Sequence, residues 1–240
     1  EELLCSDDGR LVASVRDGNS HWTAWVYRGA RMQLRENGVP RDVRSVNPAI
    51  CPDSSANLTP AILSLCLHPL PEDVLVVGFG DGTTLEGCLT FPVRHVTCIE
   101  GTAALRKIHQ STVVPAMGVD LETDDRLRMV DVDPPLAIAA SDRQYDIVLL
   151  NENQNALLRT SSQFTREYYQ RVATRLSEGA LLCQRLQVLD LGPAAVRDVV
   201  STMRSVYPQV MVVSPTPGEM LLVATLSSDP IVTSGIIDRL

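Results

Sequence analysis

The sequence predicts an α/β fold: a mostly parallel main sheet closed by an antiparallel C-terminal pair, with a small β unit in front. Three observations predict it. From residue 74 onward, short β-branched apolar runs alternate with helix-compatible segments, the pattern of a parallel sheet with helices on both faces. The first run, Val74-Leu75-Val76-Val77, flows into Gly78-Phe79-Gly80-Asp81-Gly82-Thr83-Thr84, the shape of a strand, a tight turn and a helix start. The last two runs are joined only by Ser214-Pro215-Thr216-Pro217-Gly218-Glu219, too short for a parallel crossover.

The chain divides into a β-hairpin unit over residues 1–55 and a nucleoside-binding domain over 56–240. In the first, Leu11-Val12-Ala13-Ser14-Val15 and Trp22-Thr23-Ala24-Trp25-Val26-Tyr27 read as strands, with turns at Asp17-Gly18 and Arg28-Gly29. The unit is expected to close near Asn37-Gly38-Val39-Pro40. Trp22 and Trp25, three apart on a strand, point to opposite faces, one to the core and one to an interface or the site entrance. Residues 47–57, rich in Pro, Ser, Asn and Asp, form the boundary.

In the second unit a short helix over 60–67 precedes strands near 74–77, 95–99, 127–131 and 145–150. Helices are expected near 82–90, 102–110 and 135–140. A helix over 165–176 places Tyr168, Val172 and Leu176 on one face, Gly179 ends it, and a strand starts at Ala180. Pro193 opens the last helix. The whole is a Rossmann-like, methyltransferase-type arrangement.

Composition excludes several classes. A formal charge of −8 over 240 residues disfavours nucleic acid, which wants a basic stripe; it is compatible with a cationic small-molecule amine and equally with acidity that serves only solubility. No apolar run approaches the roughly 20 residues that cross a bilayer. The opening Glu1-Glu2-Leu3-Leu4-Cys5 carries no signal-peptide pattern and reads as the start of an excised or processed piece. Of six cysteines, Cys66, Cys88, Cys98 and Cys183 sit in apolar runs, and none forms a C-x-x-C. They read as reduced, buried thiols in a cytoplasmic setting. His21, His68, His95 and His109 form no ligand motif with them, so no metal is expected.

The chemistry is concentrated at the glycine turn. Twenty-two residues after Gly78, the run Val96-Thr97-Cys98-Ile99 ends in Glu100. An acid at the tip of the second strand is where a ribose offers its two hydroxyls. Two plainer readings stand beside this: a turn with no ligand, and Glu100 as a helix-start acid stabilised by the dipole. A dinucleotide-binding turn would put its third glycine at position 83, which is Thr, so a nicotinamide-dependent oxidoreductase is disfavoured.

At these residues the chain resembles the spermidine synthases, which transfer an aminopropyl group from decarboxylated S-adenosylmethionine to a diamine. The family's Gly-Gly-Gly-Asp-Gly-Gly stands here as Gly78-Phe79-Gly80-Asp81-Gly82-Thr83. Phe164-Thr165-Arg166-Glu167-Tyr168-Tyr169 and Arg175-Leu176-Ser177-Glu178-Gly179-Ala180 look like its Thr-Arg-Glu-Phe-Tyr helix and following strand. Glu1-Glu2-Leu3-Leu4, Leu67-His68-Pro69 and Cys183-Gln184 with Leu186-Gln187 read like the branch fused behind a membrane transporter. That resemblance implies a longer parent chain, with a membrane segment before Glu1 and this domain in the cytoplasm.

The resemblance implies S-adenosylmethionine or its decarboxylated form as co-substrate. Gly78, Gly80 and Gly82 would form the turn under it. Glu100 would hold the ribose and Asp133 would lie near the adenine amino group, with Asp131 as an alternative. Asp133 would otherwise cap the helix opened by Pro134. Asp81 would face the amine of the aminopropyl arm. A homodimer is compatible with the resemblance.

The departures fall in the acceptor half. Where the family has an aspartate and then a second one before a proline, this chain has Asn151-Glu152-Asn153-Gln154-Asn155. The family's Tyr-His-Glu falls on Ala56-Asn57-Leu58, and the glutamine after the hairpin falls on Arg41. An alkylamine has a pKa of about 10.4, so the site must remove a proton before the amine can attack. Amides orient but do not take the proton. Asn151 and Glu152 are the catalytic candidates, Glu152 being the one carboxylate left in that segment. Aminopropylation of putrescine is therefore expected to be weak or absent. Three functions remain open: a transferase with a rewritten acceptor site, a lapsed enzyme acting as a nucleoside sensor or interaction domain, and an S-adenosylmethionine-dependent methyltransferase.

Overall fold

A computed structural model describes residues 9–18, 20–28, 30–47, 55–151, 161–188, 191–231 and 233. The N-terminal unit is a four-stranded antiparallel sheet, β1 Arg10–Asp17, β2 Ser20–Tyr27, β3 Arg31–Glu36 and β4 Val39–Ser45, in sequential order. Asn37-Gly38 does not close this unit. With φ of 51° and 84° the pair forms a tight hairpin turn, and the chain continues into β4. Leu34 pairs with Asp42, but Arg35 pairs with Pro40, so Arg41 is an extra residue in β4. Such a bulge re-aims side chains.

The main sheet has seven strands: β5 Asp73–Val77, β6 His95–Ile99, β7 Leu127–Val130, β8 Tyr145–Leu150, β9 Leu176–Gln187, β10 Gln209–Val213 and β11 Glu219–Thr225. Their order is β10-β11-β9-β8-β5-β6-β7. β5 to β9 pair in parallel, and β11 runs antiparallel to both its neighbours. The α/β reading and the antiparallel closing pair are what the structure has.

Alternation along the strands sends residues to two cores. Val74, Val76, Cys98, Ile147 and Leu149 pack on one face, together with Trp22, Ala24, Met32 and Leu34 of the N-terminal sheet. Leu75, Val77, Ile99, Val148 and Leu150 pack on the other, with Tyr168, Tyr169 and Val172. Each fully buried aliphatic side chain is worth about 1.5–3 kcal/mol. Cys88 and Cys183 lie in the first core, and burial pushes their thiols up to about 12, so they remain protonated.

The helices are α1 Ser55–Leu67, α2 Thr83–Leu89, α3 Ala103–Ile108, α4 Val114–Met117, α5 Pro134–Ala140, α6 Arg166–Ala173 and α7 Pro193–Arg204. Three differ from expectation. α1 starts before Pro60, which lies inside it. A π-helical turn, His109–Val113, separates α3 from α4, and His109 meets Phe79 edge-on at 5.4 Å behind the glycine turn. α6 ends at Ala173, so Leu176 belongs to β9 and not to a helix face. Gly179 lies within β9 at φ 77°, where the pairing jumps from Tyr145–Leu176 to Ile147–Leu181.

The N-terminal sheet is fastened by β4. Arg44, almost fully buried, donates to the Asp81 carbonyl oxygen at 2.7 Å and to Glu86 of α2 at 2.9 Å. Burial alone would raise the Glu86 carboxyl. His109 and Arg44 outweigh it, and the group lies below the ordinary glutamate value.

Candidate functional site

Strand order reverses around β5: β6 and β7 lie on one side, β8 and β9 on the other. In such sheets the crevice at the carboxyl ends of the strands takes the ligand. The parallel ladders continue one residue past these ends. Gly78 N–H donates to Ile99 O at 2.9 Å, Glu100 N–H to Val130 O at 3.0 Å, and Asn151 N–H to Val77 O at 2.9 Å. Three predicted site residues are thus brought side by side by backbone geometry alone.

Above them is a cavity of about 460 Å³. Gly78, Gly80, Glu100, Gly101, Thr102, Asp133, Pro134 and Asn151 line it from the main sheet. Asp17, Ser20, Trp22, Glu36, Arg41 and Asp42 line it from the N-terminal sheet. Gly78 and Gly80 hold φ of 94° and 58°, a conformation that L side chains rarely adopt. A Cβ on Gly80 would stand 3.4 Å from Asn151 Nδ2 and 3.7 Å from Asp42 Oδ2, so the two walls meet over this glycine.

Glu100 is buried. Its Oε2 accepts from Phe79 N–H and its Oε1 from Thr102 N–H, both at 2.9 Å. Burial raises its carboxyl above the ordinary value, and those backbone donors oppose the rise. Each carboxylate oxygen has two lone-pair directions, so these backbone donors do not exhaust the group's accepting capacity. Asp17 lies across from it and accepts the Thr102 hydroxyl at 2.7 Å, which lowers the Asp17 carboxyl.

Asp133 occupies the N-cap position of α5, but its side chain makes no capping bond; it lines the cavity. Asp131, its alternative, is tied to Arg106 at 2.6 Å, stands outside the cavity lining and is 53% exposed. Asp81 and Gly82 also stand outside the lining. Asp81 Oδ2 accepts from Asn57 Nδ2 at 2.8 Å and Oδ1 from Thr83 N–H at 2.9 Å, so its carboxylate braces the start of α2 against α1. Gly82 is the turn's close approach: a Cβ there would come within 2.9 Å of His109. Asn151 is 5% exposed and its Nδ2 donates to Gly78 O at 3.4 Å. Glu152 and Gln154 lie outside the described residues.

Sequence reading missed Asp17, Ser20, Glu36 and Asp42 as cavity residues. Their signal is tertiary: the alternation of β2 and β3 and the bulge in β4 aim them across at the main domain. Trp22 is both core and cavity wall. Trp25, on the opposite face, carries the Arg35 guanidinium 5.3 Å above its ring. Among the described residues no group of three or more His, Cys, Asp or Glu could hold a metal ion, and no helix is long and apolar enough to cross a membrane.

Among the described residues the lining carries five carboxylates, Asp17, Glu36, Asp42, Glu100 and Asp133, against one cation, Arg41. It suits a positively charged ligand with a hydroxyl-bearing portion.

Known proteins resemble this chain in sequence and in fold. A polyamine aminopropyltransferase of Bacillus cytotoxicus is 26% identical over 149 residues, covering 62% of this chain and 53% of the relative. The chain thus spans about half the length of the curated relatives it matches. The fold superposes on spermidine synthase from Thermotoga maritima with a TM-score of 0.77 at 17% identity, over 92% of this chain and 74% of that one. Human methyltransferase-like protein 13, solved in complex with SAH, gives 0.60 at 17% identity, over 77% and 85%. At these identities the likeness speaks to the fold. The sequence pattern of the spermine/spermidine synthase domain matches residues 61–231, most of the chain, which therefore belongs to that family.

Proposed function

We propose that the domain binds an adenosyl-sulfonium compound, S-adenosylmethionine or its decarboxylated form, or the thioether left after transfer. Glu100 contacts both ribose hydroxyls, and Asp133 stands near the adenine amino group. One observation carries this: a buried carboxylate at the tip of β6, oriented by backbone N–H groups and facing the cavity. The carboxylate-rich lining supports a sulfonium cation.

The reaction class we propose is alkyl transfer of the aminopropyl type to an amine, with little turnover of putrescine. Asn151 offers a neutral amide where the family has a carboxylate, and losing a positioned proton acceptor costs about 10²–10⁴-fold in rate. From the resemblance to the fused branch, we also propose a membrane segment earlier in the parent chain, which the full coding sequence will decide. Calorimetry with S-adenosylmethionine, its decarboxylated form and NAD tests the ligand class. Heat of binding from at least one sulfonium and none from NAD is expected. Binding of NAD alone would overturn the reading.

A further inference from the structure

The tip of the β1–β2 hairpin reaches the cavity from the N-terminal sheet, and Asp17 and Gly18 line it together with Glu100, Gly101 and Thr102. Thr102 lies eighty-five residues on from Asp17, yet its hydroxyl donates to Asp17 Oδ2 at 2.7 Å. The backbone N–H groups of Ala103 and Ala104, at the start of α3, also point at this carboxylate. Together with the Thr102 hydroxyl, the largest influence, they hold the Asp17 carboxyl below the ordinary aspartate value. Asp17 is therefore ionised at neutral pH and tied to the segment that follows Glu100.

That segment aims the carboxylate of Glu100. The ladder of the main sheet places the Glu100 backbone, whose N–H is bonded to Val130 O. The direction of the side chain is set by its donors, Phe79 N–H on Oε2 and Thr102 N–H on Oε1. Phe79 follows Gly78, which is itself bonded to Ile99. Thr102 follows Gly101, and glycine has the widest backbone freedom of any residue. Packing does little to restrain it: a Cβ on Gly101 would find its nearest neighbour, Pro134 Cδ, only at 3.8 Å. The Thr102 N–H is thus steered by whatever holds the Thr102 side chain. Its Oγ1 accepts from Ala104 N–H over a long 3.3 Å and donates to Asp17 over 2.7 Å. The shorter bond, to a charged acceptor, is the stronger tie.

We propose that Asp17 is a positioning residue for the ribose site: by holding the Thr102 hydroxyl it fixes the Thr102 N–H, and so aims the Glu100 carboxylate at the ribose. The inference rests on the reading of Glu100 as the ribose acceptor and deepens it. An aimed carboxylate accepts from two hydroxyls at once. One that swings keeps its charge but gains little from the second hydroxyl, because hydrogen bonds weaken steeply with misalignment. Discrimination between a ribonucleoside and a 2′-deoxyribonucleoside then depends on a residue of the N-terminal sheet acting through Thr102.

Calorimetry with 5′-methylthioadenosine, which keeps the nucleoside and lacks the tail, and with its 2′-deoxy analogue tests this. The unmodified domain is expected to bind the ribose form at least about tenfold tighter, as one hydrogen bond to a charged group warrants. Asp17→Ala and Thr102→Val are each expected to reduce that ratio to about threefold or less, in proteins that still unfold cooperatively. Thr102→Ser, which keeps the hydroxyl, is expected to retain it. A tie that serves stability alone would weaken both ligands alike and leave the ratio intact, and that result would overturn the inference. A ratio lowered by Asp17→Ala but not by Thr102→Val would also overturn it, since Asp17 would then meet the ligand itself. In either case the ribose reading stands. An unmodified domain that binds neither ligand, or binds both equally, would overturn the ribose reading and this inference with it.

Discussion

The two ends of the cavity are built by different physics. The end proposed for the nucleoside is made of strand tips: Gly78 and Glu100 are each fixed by a backbone bond to the neighbouring strand, and Glu100 is held by backbone donors. The opposite end is made of side-chain contacts: Ser20, Glu36 and Arg41 are linked within the N-terminal sheet, and the buried Arg185 of the main sheet joins Asp42 at 3.8 Å and Glu219. The first is set by the ladder of the main sheet and resists change. The second depends on how a separate sheet docks, so under the proposed function a few substitutions there would rewrite which acceptor it takes.

Breaking the docking is expected to have the largest effect. Arg44→Met leaves Glu86 without its guanidinium and the Asp81 carbonyl without its donor. Removing one partner of a buried pair costs about 3–5 kcal/mol, which urea unfolding measures. The same contact gives an acid dependence. The Glu86 carboxyl lies below its ordinary value of 4.5, so its contribution is full above that value and is lost as pH falls through the lowered one. Arg44→Met is expected to shrink that acid-side loss. A variant as stable as the parent would refute the clamp.

Gly82→Ala probes the rigidity beneath the nucleoside end. Its φ of 87° and the 2.9 Å approach of a Cβ to His109 combine backbone strain with overpacking, together about 2–4 kcal/mol. Gly118→Ala, at φ 71° with open space around it, is the control and carries the strain alone, about 1–2 kcal/mol. Equal melting shifts for the two would mean that His109 does not back the turn.

Acidification sharpens the comparison further. Burial raises the Glu100 carboxyl, so the ligand-free protein loses stability as pH rises from the ordinary value of 4.5 through the raised one. Ribose hydroxyls donate to the ionised form, so affinity for 5′-methylthioadenosine is expected to rise across the same window. Glu100→Gln is expected to flatten both slopes; an unchanged pH profile in that variant would assign them elsewhere.

The smallest effect is expected at Asn151. Asn151→Asp exchanges the weak 3.4 Å donation to Gly78 O for a carboxylate facing a carbonyl, at about 1 kcal/mol of stability. Any residual aminopropyl transfer to putrescine is expected to increase, since a proton acceptor is restored. No increase would show that the acceptor end is rewritten beyond this position.

How much of this was legible follows the same division. The glycine turn, Glu100 and the alternating strands are local, written in spacing and period 2, and they were read from the residues. Arg41 was singled out only by its departure from a resemblance. That it and Asp42 both reach the cavity depends on an extra residue in β4 that no local pattern marks. Asp81 was assigned to an amine because the turn places it there by analogy. In the fold its oxygens accept from Thr83 N–H, two residues on, and from Asn57, twenty-four residues back, and the residue stands outside the cavity lining. The π-helical turn at His109–Val113 and the glycine inside β9 likewise answer to packing rather than propensity.

The central claim is that Glu100 holds the ribose, and binding of 5′-methylthioadenosine to Glu100→Ala tests it most directly because that ligand touches only the nucleoside end. Losing a buried charged acceptor shared by two hydroxyls weakens binding by about 1.5–3 kcal/mol, roughly 10- to 150-fold, in a variant that still unfolds cooperatively. Affinity within about twofold of the parent would contradict the account.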